Sequence, residues 1–228
     1  MKRIIVDFDG PISDVSERYY QVYLLCLEKN HRHDRQVRIL SKNEFWQLKR
    51  SRIPEKQIGI MSGLEETQAE NFALLRKQTV HTQPYFEYDT LAVGAVDALL
   101  KVKQAGIDLA VMTMRRVREL EYALKKFDLY QFFPENRRYC LSNDYVKTRD
   151  IDDKPLLMER ALKELSPAED NWMVGDTEAD INAAKKHGVK SIAVECGIRD
   201  RAQLEAYQPD FYVKDLTAAV NFILEGSA

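Results

Sequence analysis

Acidic residues recur in this 228-residue chain at places where they could act together. Asp7-Phe8-Asp9-Gly10 closes a short β-branched run, and strand alternation sets the two carboxylates two residues apart at its carboxyl end. Gly175-Asp176-Thr177-Glu178-Ala179-Asp180 follows a second apolar run, Trp172 to Val174, and leads into a helix. Between these motifs Thr113 ends the run Ile107 to Met112 and is followed by Met114, Arg115 and Arg116. Lys154 stands in Asp153-Lys154-Pro155, ahead of a helix whose first position suits Pro155. Carboxylates in such company can attack as nucleophiles, move a proton or hold a hard cation. Each feature alone has an ordinary reading: an Asp-Gly turn, a strand-ending Thr, a solvated Lys, a capping box over Thr177 to Asp180. Their common order, each at a strand's end or a helix's start, argues for one site.

The elements that must position these residues are legible as alternation. The runs Arg3 to Val6, Ile107 to Met112, Arg138 to Leu141, Trp172 to Val174 and Ser191 to Val194 read as buried strands. Val93 to Ala105, Val117 to Phe127, Pro155 to Leu165 and Ala179 to His187 read as the helices between them. Near-continuous apolar strands alternating with helices predict an α/β fold, a parallel sheet covered on both faces, with ligands beyond the strands' carboxyl ends. About 70 residues after the first strand read as helical only, which predicts an inserted helical domain. The expected division is a core of 1–14 and 89–228 and an insertion of 15–88.

Composition excludes several classes. The net charge is −2, with 45% hydrophobic residues, which fits neither a general nucleic-acid binder nor a disordered chain. Cys26, Cys140 and Cys196 lie far apart and read as reduced thiols. Ile4, Ile5 and Val6 are too few for a signal-peptide core, and no apolar stretch is long enough to cross a membrane, so a soluble cytoplasmic protein is expected. Oligomeric state is not encoded in any feature of the chain.

Asp-x-Asp-Gly, a strand-terminal Thr, a Lys, and Gly-Asp-Thr-x-x-Asp, in that order over nearly the whole chain, resemble the haloacid dehalogenase superfamily. The likeness is to its capped branch, which contains phosphoglycolate phosphatase and β-phosphoglucomutase. The resemblance implies a Rossmann-like core with a helical cap, and Mg²⁺-dependent hydrolysis of a small phosphorylated metabolite. It implies that Asp7 is the nucleophile, forming an aspartyl-phosphate, and that Asp9 is the acid and base. Thr113 would bond a phosphoryl oxygen, Lys154 would tie Asp7 to the phosphoryl group, and Gly10 would lie against the substrate. The metal set it implies is Asp7, the main-chain carbonyl of Asp9, and Asp176, with Asp180 at the same centre in support. Mg²⁺ suits such a site because it takes oxygen ligands and is held by one or two carboxylates plus phosphate. Pro11 departs from the family's usual Thr and removes an N–H there.

The insertion carries twelve basic against nine acidic residues, and nine of the basic ones fall between Lys29 and Lys56. One reading is a solvated helical face. The other has Arg50 or Arg52 holding a second anionic group of the substrate, with Arg115 and Arg116 as competitors on the core side. Phe45, Trp46 and Leu48, with Tyr19, Tyr20, Tyr23 and Leu24, are expected to form the insertion's own core. His31, His33, His81 and His187 show no ligand spacing. Besides a phosphatase, the sequence admits a phosphosugar mutase or, given Pro11, a catalytically weak phospho-ligand-binding protein. Dehalogenation is disfavoured by the acid at position 9.

Overall fold

The computed structural model describes residues 1–31 and 37–226. Its strands are β1 (Lys2–Val6), β2 (Ser13–Asp14), β3 (Thr90–Leu91), β4 (Asp108–Arg116), β5 (Arg138–Leu141), β6 (Asp170–Gly175), β7 (Lys190–Val194) and β8 (Phe211–Val213). Its helices are α1 (Ser16–Asn30), α2 (Lys42–Arg50), α3 (Glu55–Met61), α4 (Glu66–Thr79), α5 (Ala95–Gln104), α6 (Val117–Lys126), α7 (Asp150–Glu164), α8 (Glu178–Lys186), α9 (Arg201–Glu205) and α10 (Leu216–Glu225). The contacts divide the chain into two units. The first holds Met1–Ser13, Leu91–Gly197 and the chain from Leu204 on; the second holds Asp14–Thr90 together with Ile198–Gln203.

The first unit is built on a six-stranded sheet in the order β5-β4-β1-β6-β7-β8, with every neighbouring pair parallel. Strand alternation explains its two cores. Ile4, Val6, Leu109, Val111 and Val174 face one side with α5, α6 and α10, while Ile5, Ala110, Met112 and Met173 face the other with α7 and α8. The chain fills the sheet outward from β1 on one side, then returns to fill the other from β6. The order therefore reverses between β1 and β6, and in open parallel sheets ligands bind beyond the strand ends at such a reversal.

Three differences from the sequence reading have physical causes. β8 was too short a run to register; it is pinned by Asp210, whose carboxylate accepts from the Ser191 amide and hydroxyl, both at 2.7 Å. β4 continues past Met112 to Arg116, with a register shift against β5 over that stretch, so Thr113 lies within a strand. The helix expected to start at Pro155 starts at Asp150, with Pro155 inside it. Proline lacks the N–H that would bond the Ile151 carbonyl one turn back. Asn182 of α8 takes its place, its Nδ2 donating to that carbonyl at 2.8 Å, and His187 Nε2 donates to the Pro155 carbonyl at 3.0 Å. Asn182→Ala should lower stability by about 1 kcal/mol by leaving that carbonyl unbonded. Urea unfolding measures this, and an unchanged midpoint would refute the compensation.

The second unit packs α1 to α4 around Tyr23, Phe45 and Phe72, with Tyr19, Tyr20, Leu24 and Leu48 against them. The Tyr23 hydroxyl is satisfied by Ser62 Oγ at 2.9 Å and by the Leu40 amide at 3.0 Å, as a buried phenol requires. Arg18 and Asp89 form a fully buried ion pair at 2.9 Å. Among the described residues no helix is long and apolar enough to cross a membrane.

Candidate active site

Two adjacent strand ends supply the centre. The Asp7 amide donates to the Val174 carbonyl at 2.8 Å, so the β1–β6 ladder runs directly into the acid. The Asp7 carboxylate then accepts from the Phe8 amide at 2.8 Å and from Lys154 Nζ at 2.9 Å. Lys154, on α7 and only 1% exposed, also reaches Asp180 Oδ1 at 2.5 Å. The other oxygen of Asp180 accepts from the Thr177 amide at 3.0 Å and hydroxyl at 2.6 Å, closing a capping box at the start of α8. One carboxylate thus both caps the helix and meets Lys154.

Asp176 completes the group. Asp7, Asp176 and Asp180 are all buried and offer oxygens lying within 4.8 Å of one another. Two glycines make room for it. A Cβ on Gly10, whose φ is +96°, would fall 2.4 Å from Asp176 Cγ, and one on Gly197 would fall 1.8 Å from its Oδ2. Gly197 is the site residue that the sequence reading missed. Its signal was present: Gly197 lies three residues past the end of β7, at the same carboxyl edge of the sheet as Asp7 after β1.

Asp9, on the turn after Asp7, is bound by Arg115 of β4, whose Nε and Nη2 lie 2.8 and 2.5 Å from Asp9 Oδ1. The Arg115 amide donates to Thr113 Oγ1 at 3.2 Å. Asp7, Asp9, Gly10, Thr113, Arg115, Lys154, Asp176 and Asp180 therefore lie in one linked set within the first unit. Arg116 is engaged elsewhere, with Glu119 and the Tyr145 carbonyl. Four carboxylates share this set with two cations, Lys154 and Arg115, so the acids outnumber the bases. Burial, followed by the charges of Asp180, Asp176 and Asp9, lifts the Asp7 carboxyl well above its ordinary range against the opposing pull of Lys154. Burial would lower Lys154, but Asp180 and Asp7 outweigh it and hold the ammonium charged. An oxygen-only set with surplus negative charge fits a hard divalent cation. Asp7 and Asp176 are the ligand candidates, because both oxygens of Asp180 already meet Lys154 and Thr177.

Arg50 and Arg52 belong to the second unit. Arg50 Nη2 donates to the Arg199 carbonyl at 3.3 Å, and Arg52 is exposed with φ +59°. Much of the basic stretch is paired within that unit: Arg38 with Glu44 at 2.6 Å, Lys42 with Glu17 at 2.7 Å, Lys56 with Glu66 and Glu70. Arg32, His33, Asp34 and Arg35 lie outside the described residues. Lys49 and Arg76 share the Glu55 carboxylate. Burial, then the Arg76 charge, bring Lys49 down to about 8. A lysine whose folded value is depressed destabilises the fold below that value and ceases to do so as pH rises past it toward its unfolded value. Lys49→Met is therefore expected to stabilise the protein by on the order of 1–3 kcal/mol at neutral pH, the gain fading by about pH 10. Thermal unfolding across pH tests it; a gain that persists unchanged at alkaline pH would contradict it.

Comparison with known proteins converges on one group. The HAD-hydrolase-like family model matches residues 153–219. Pyrophosphatase PpaX of Bacillus mycoides is 29% identical over 142 residues, 60% of this chain and 60% of that protein. PpaX of Bacillus thuringiensis is 29% identical over 142 residues, covering 60% of this chain and 59% of the relative. The chain spans 59–66% of the length of the first such relatives. A haloacid dehalogenase-like family hydrolase from Streptococcus pneumoniae shares the fold with a TM-score of 0.68 at 18% identity, over 98% of each chain. A predicted phosphatase from Clostridium acetobutylicum does so with a TM-score of 0.70 at 20% identity, again over 98% of each.

Proposed function

We propose that this chain, which is similar in sequence and fold to the haloacid dehalogenase-like hydrolases, is a Mg²⁺-dependent phosphatase that cleaves a small phosphorylated metabolite through an aspartyl-phosphate. The observation that carries this reading is the buried Asp7–Lys154–Asp180 bridge beside Asp176 at the sheet's reversal point. Asp7 and Asp176, with the Asp9 main-chain carbonyl, would hold Mg²⁺; when bound, the cation would neutralise the crowded carboxylates and the phosphoryl oxygens.

The side chains divide the work as follows. A carboxylate oxygen of Asp7 bonds to phosphorus while the ester P–O bond breaks, and the proton on Asp9 passes to the departing oxygen. Water then attacks the phosphoryl-Asp7, gives its proton back to Asp9, and the P–O bond to Asp7 breaks to release phosphate. Thr113 donates to a phosphoryl oxygen, and Lys154 keeps positive charge beside Asp7 as negative charge gathers there. Gly10 and Gly197 keep the approach to Asp176 clear of side chains.

The test is phosphate release from a panel of phosphate monoesters and inorganic pyrophosphate, with Mg²⁺ or with chelator. Pyrophosphate is included because the curated relatives are named pyrophosphatases. The expected result is Mg²⁺-dependent release, with a hydroxylamine-labile phosphoryl adduct on the Asp7 peptide after acid quench. Release that ignores chelator, or an adduct on another residue, would sink the proposal.

A further inference from the structure

We propose that Arg115 is the positioning residue for the acid-base group, holding Asp9 and the Thr113 hydroxyl in register. This rests on the phosphatase reading above and assigns Arg115 a role different from that of a substrate anchor. Arg115 is 3% exposed, its guanidinium lies 4.9 Å from the centre of the Phe8 ring, and Phe8 sits between the two acids in sequence. The guanidinium is thus held against the residue whose neighbours do the chemistry, and its fork is committed to Asp9 at 2.8 and 2.5 Å.

Two details of geometry suit a positioning role. Both of these bonds converge on Asp9 Oδ1, which fixes the orientation of the carboxyl relative to β4. The Arg115 amide occupies a lone pair of Thr113 Oγ1 at 3.2 Å, which turns the hydroxyl proton away from its own strand and makes it available to an acceptor. One residue of β4 therefore fixes one group from β4 and one from the turn after β1. The register shift of β4 over Met112–Arg116 lies where those two residues must be aimed.

The measurement is kcat/KM, which covers only the steps up to departure of the alcohol, for a good leaving group (2,4-dinitrophenyl phosphate) and a poor one (an alkyl phosphate). Protonation matters only for the poor leaving group. Arg115→Gln should therefore lower kcat/KM for the alkyl ester about 30-fold or more, and for the aryl ester only about 2- to 5-fold, as loss of a placed general acid does. Arg115→Lys should recover part of the loss, and Asp9→Asn should show the same selectivity. Adding Arg115→Gln to Asp9→Asn should cost little more, the non-additivity of groups acting through one another. Parallel losses on both esters, additivity in the double variant, or a rise in KM alone for esters with a second anionic group would each overturn the proposal. If Arg115→Gln does not fold, the ratio between esters for Arg115→Lys decides. Wild-type protein inert toward every ester would count against the phosphatase reading instead.

Discussion

Asp7→Asn is expected to lower Mg²⁺-dependent phosphate release by about 10⁴-fold or more, the order found when a covalent nucleophile is removed, and to abolish the phosphoryl adduct. The same substitution should leave the metal-free protein as stable as the parent or more so. Asp7 is buried among three other carboxylates, and in the fold its ionised form is disfavoured by that burial and by those charges. A neutral amide of the same shape removes the conflict while Lys154 keeps Asp180 as a partner. The rise in melting temperature on adding Mg²⁺ should shrink in the variant, because a ligand has gone. Residual turnover within about tenfold of the parent, or an undiminished Mg²⁺ shift, would remove Asp7 from the roles assigned to it.

Lys154→Met should produce the larger change in stability. Lys154 bridges Asp7 at 2.9 Å and Asp180 at 2.5 Å, and all three groups are buried. Deleting one partner of a buried ionic group leaves the others uncompensated, a loss of about 3–5 kcal/mol in chelator at neutral pH. The sign of its pH dependence follows from Asp7. A carboxyl whose folded value is raised contributes stability that is fully present below its unfolded value and is lost as pH rises through its folded value. Metal-free variant should therefore unfold more readily toward neutral pH and recover in mild acid, more steeply than the parent, where Lys154 opposes the rise. Added Mg²⁺ should flatten the profile by supplying positive charge at the same centre. Denaturation by urea at several pH values, with and without Mg²⁺, measures this. A variant matching the parent at neutral pH in chelator would show that the bridge carries no stability.

The carboxylates that follow strands were legible from sequence because their positions follow from periodicity: Asp7 after Val6 and Asp176 after Gly175, whereas Thr113, read as ending its strand, lies inside β4. The partners were not. Arg115 could be placed at the right sheet edge, but whether its guanidinium met a substrate or Asp9 depended on a strand continuing to Arg116 with a shifted register. Gly197 escaped because a glycine's role is set by what a side chain would strike, here the Asp176 carboxylate. The start of α7 was misplaced because proline inside a helix is ordinarily excluded, and only Asn182 and His187, some 30 residues further on, make Pro155 tolerable. Local rules describe each element well and say nothing about such distant support.

The grouping of Ile198–Gln203 with the helical unit has a practical consequence for chimeras. Within that unit the Ser51 hydroxyl donates to Asp200 at 2.7 Å, and the Asp200 amide donates to the Arg50 carbonyl at 3.2 Å. A graft that exchanges only residues 14–90 for those of a relative would strand this short stretch without its recipients, immediately downstream of the glycine that leaves room for Asp176. Exchanging the helical unit between such proteins therefore calls for two pieces, the long helical cassette and the six-residue stretch Ile198–Gln203 together.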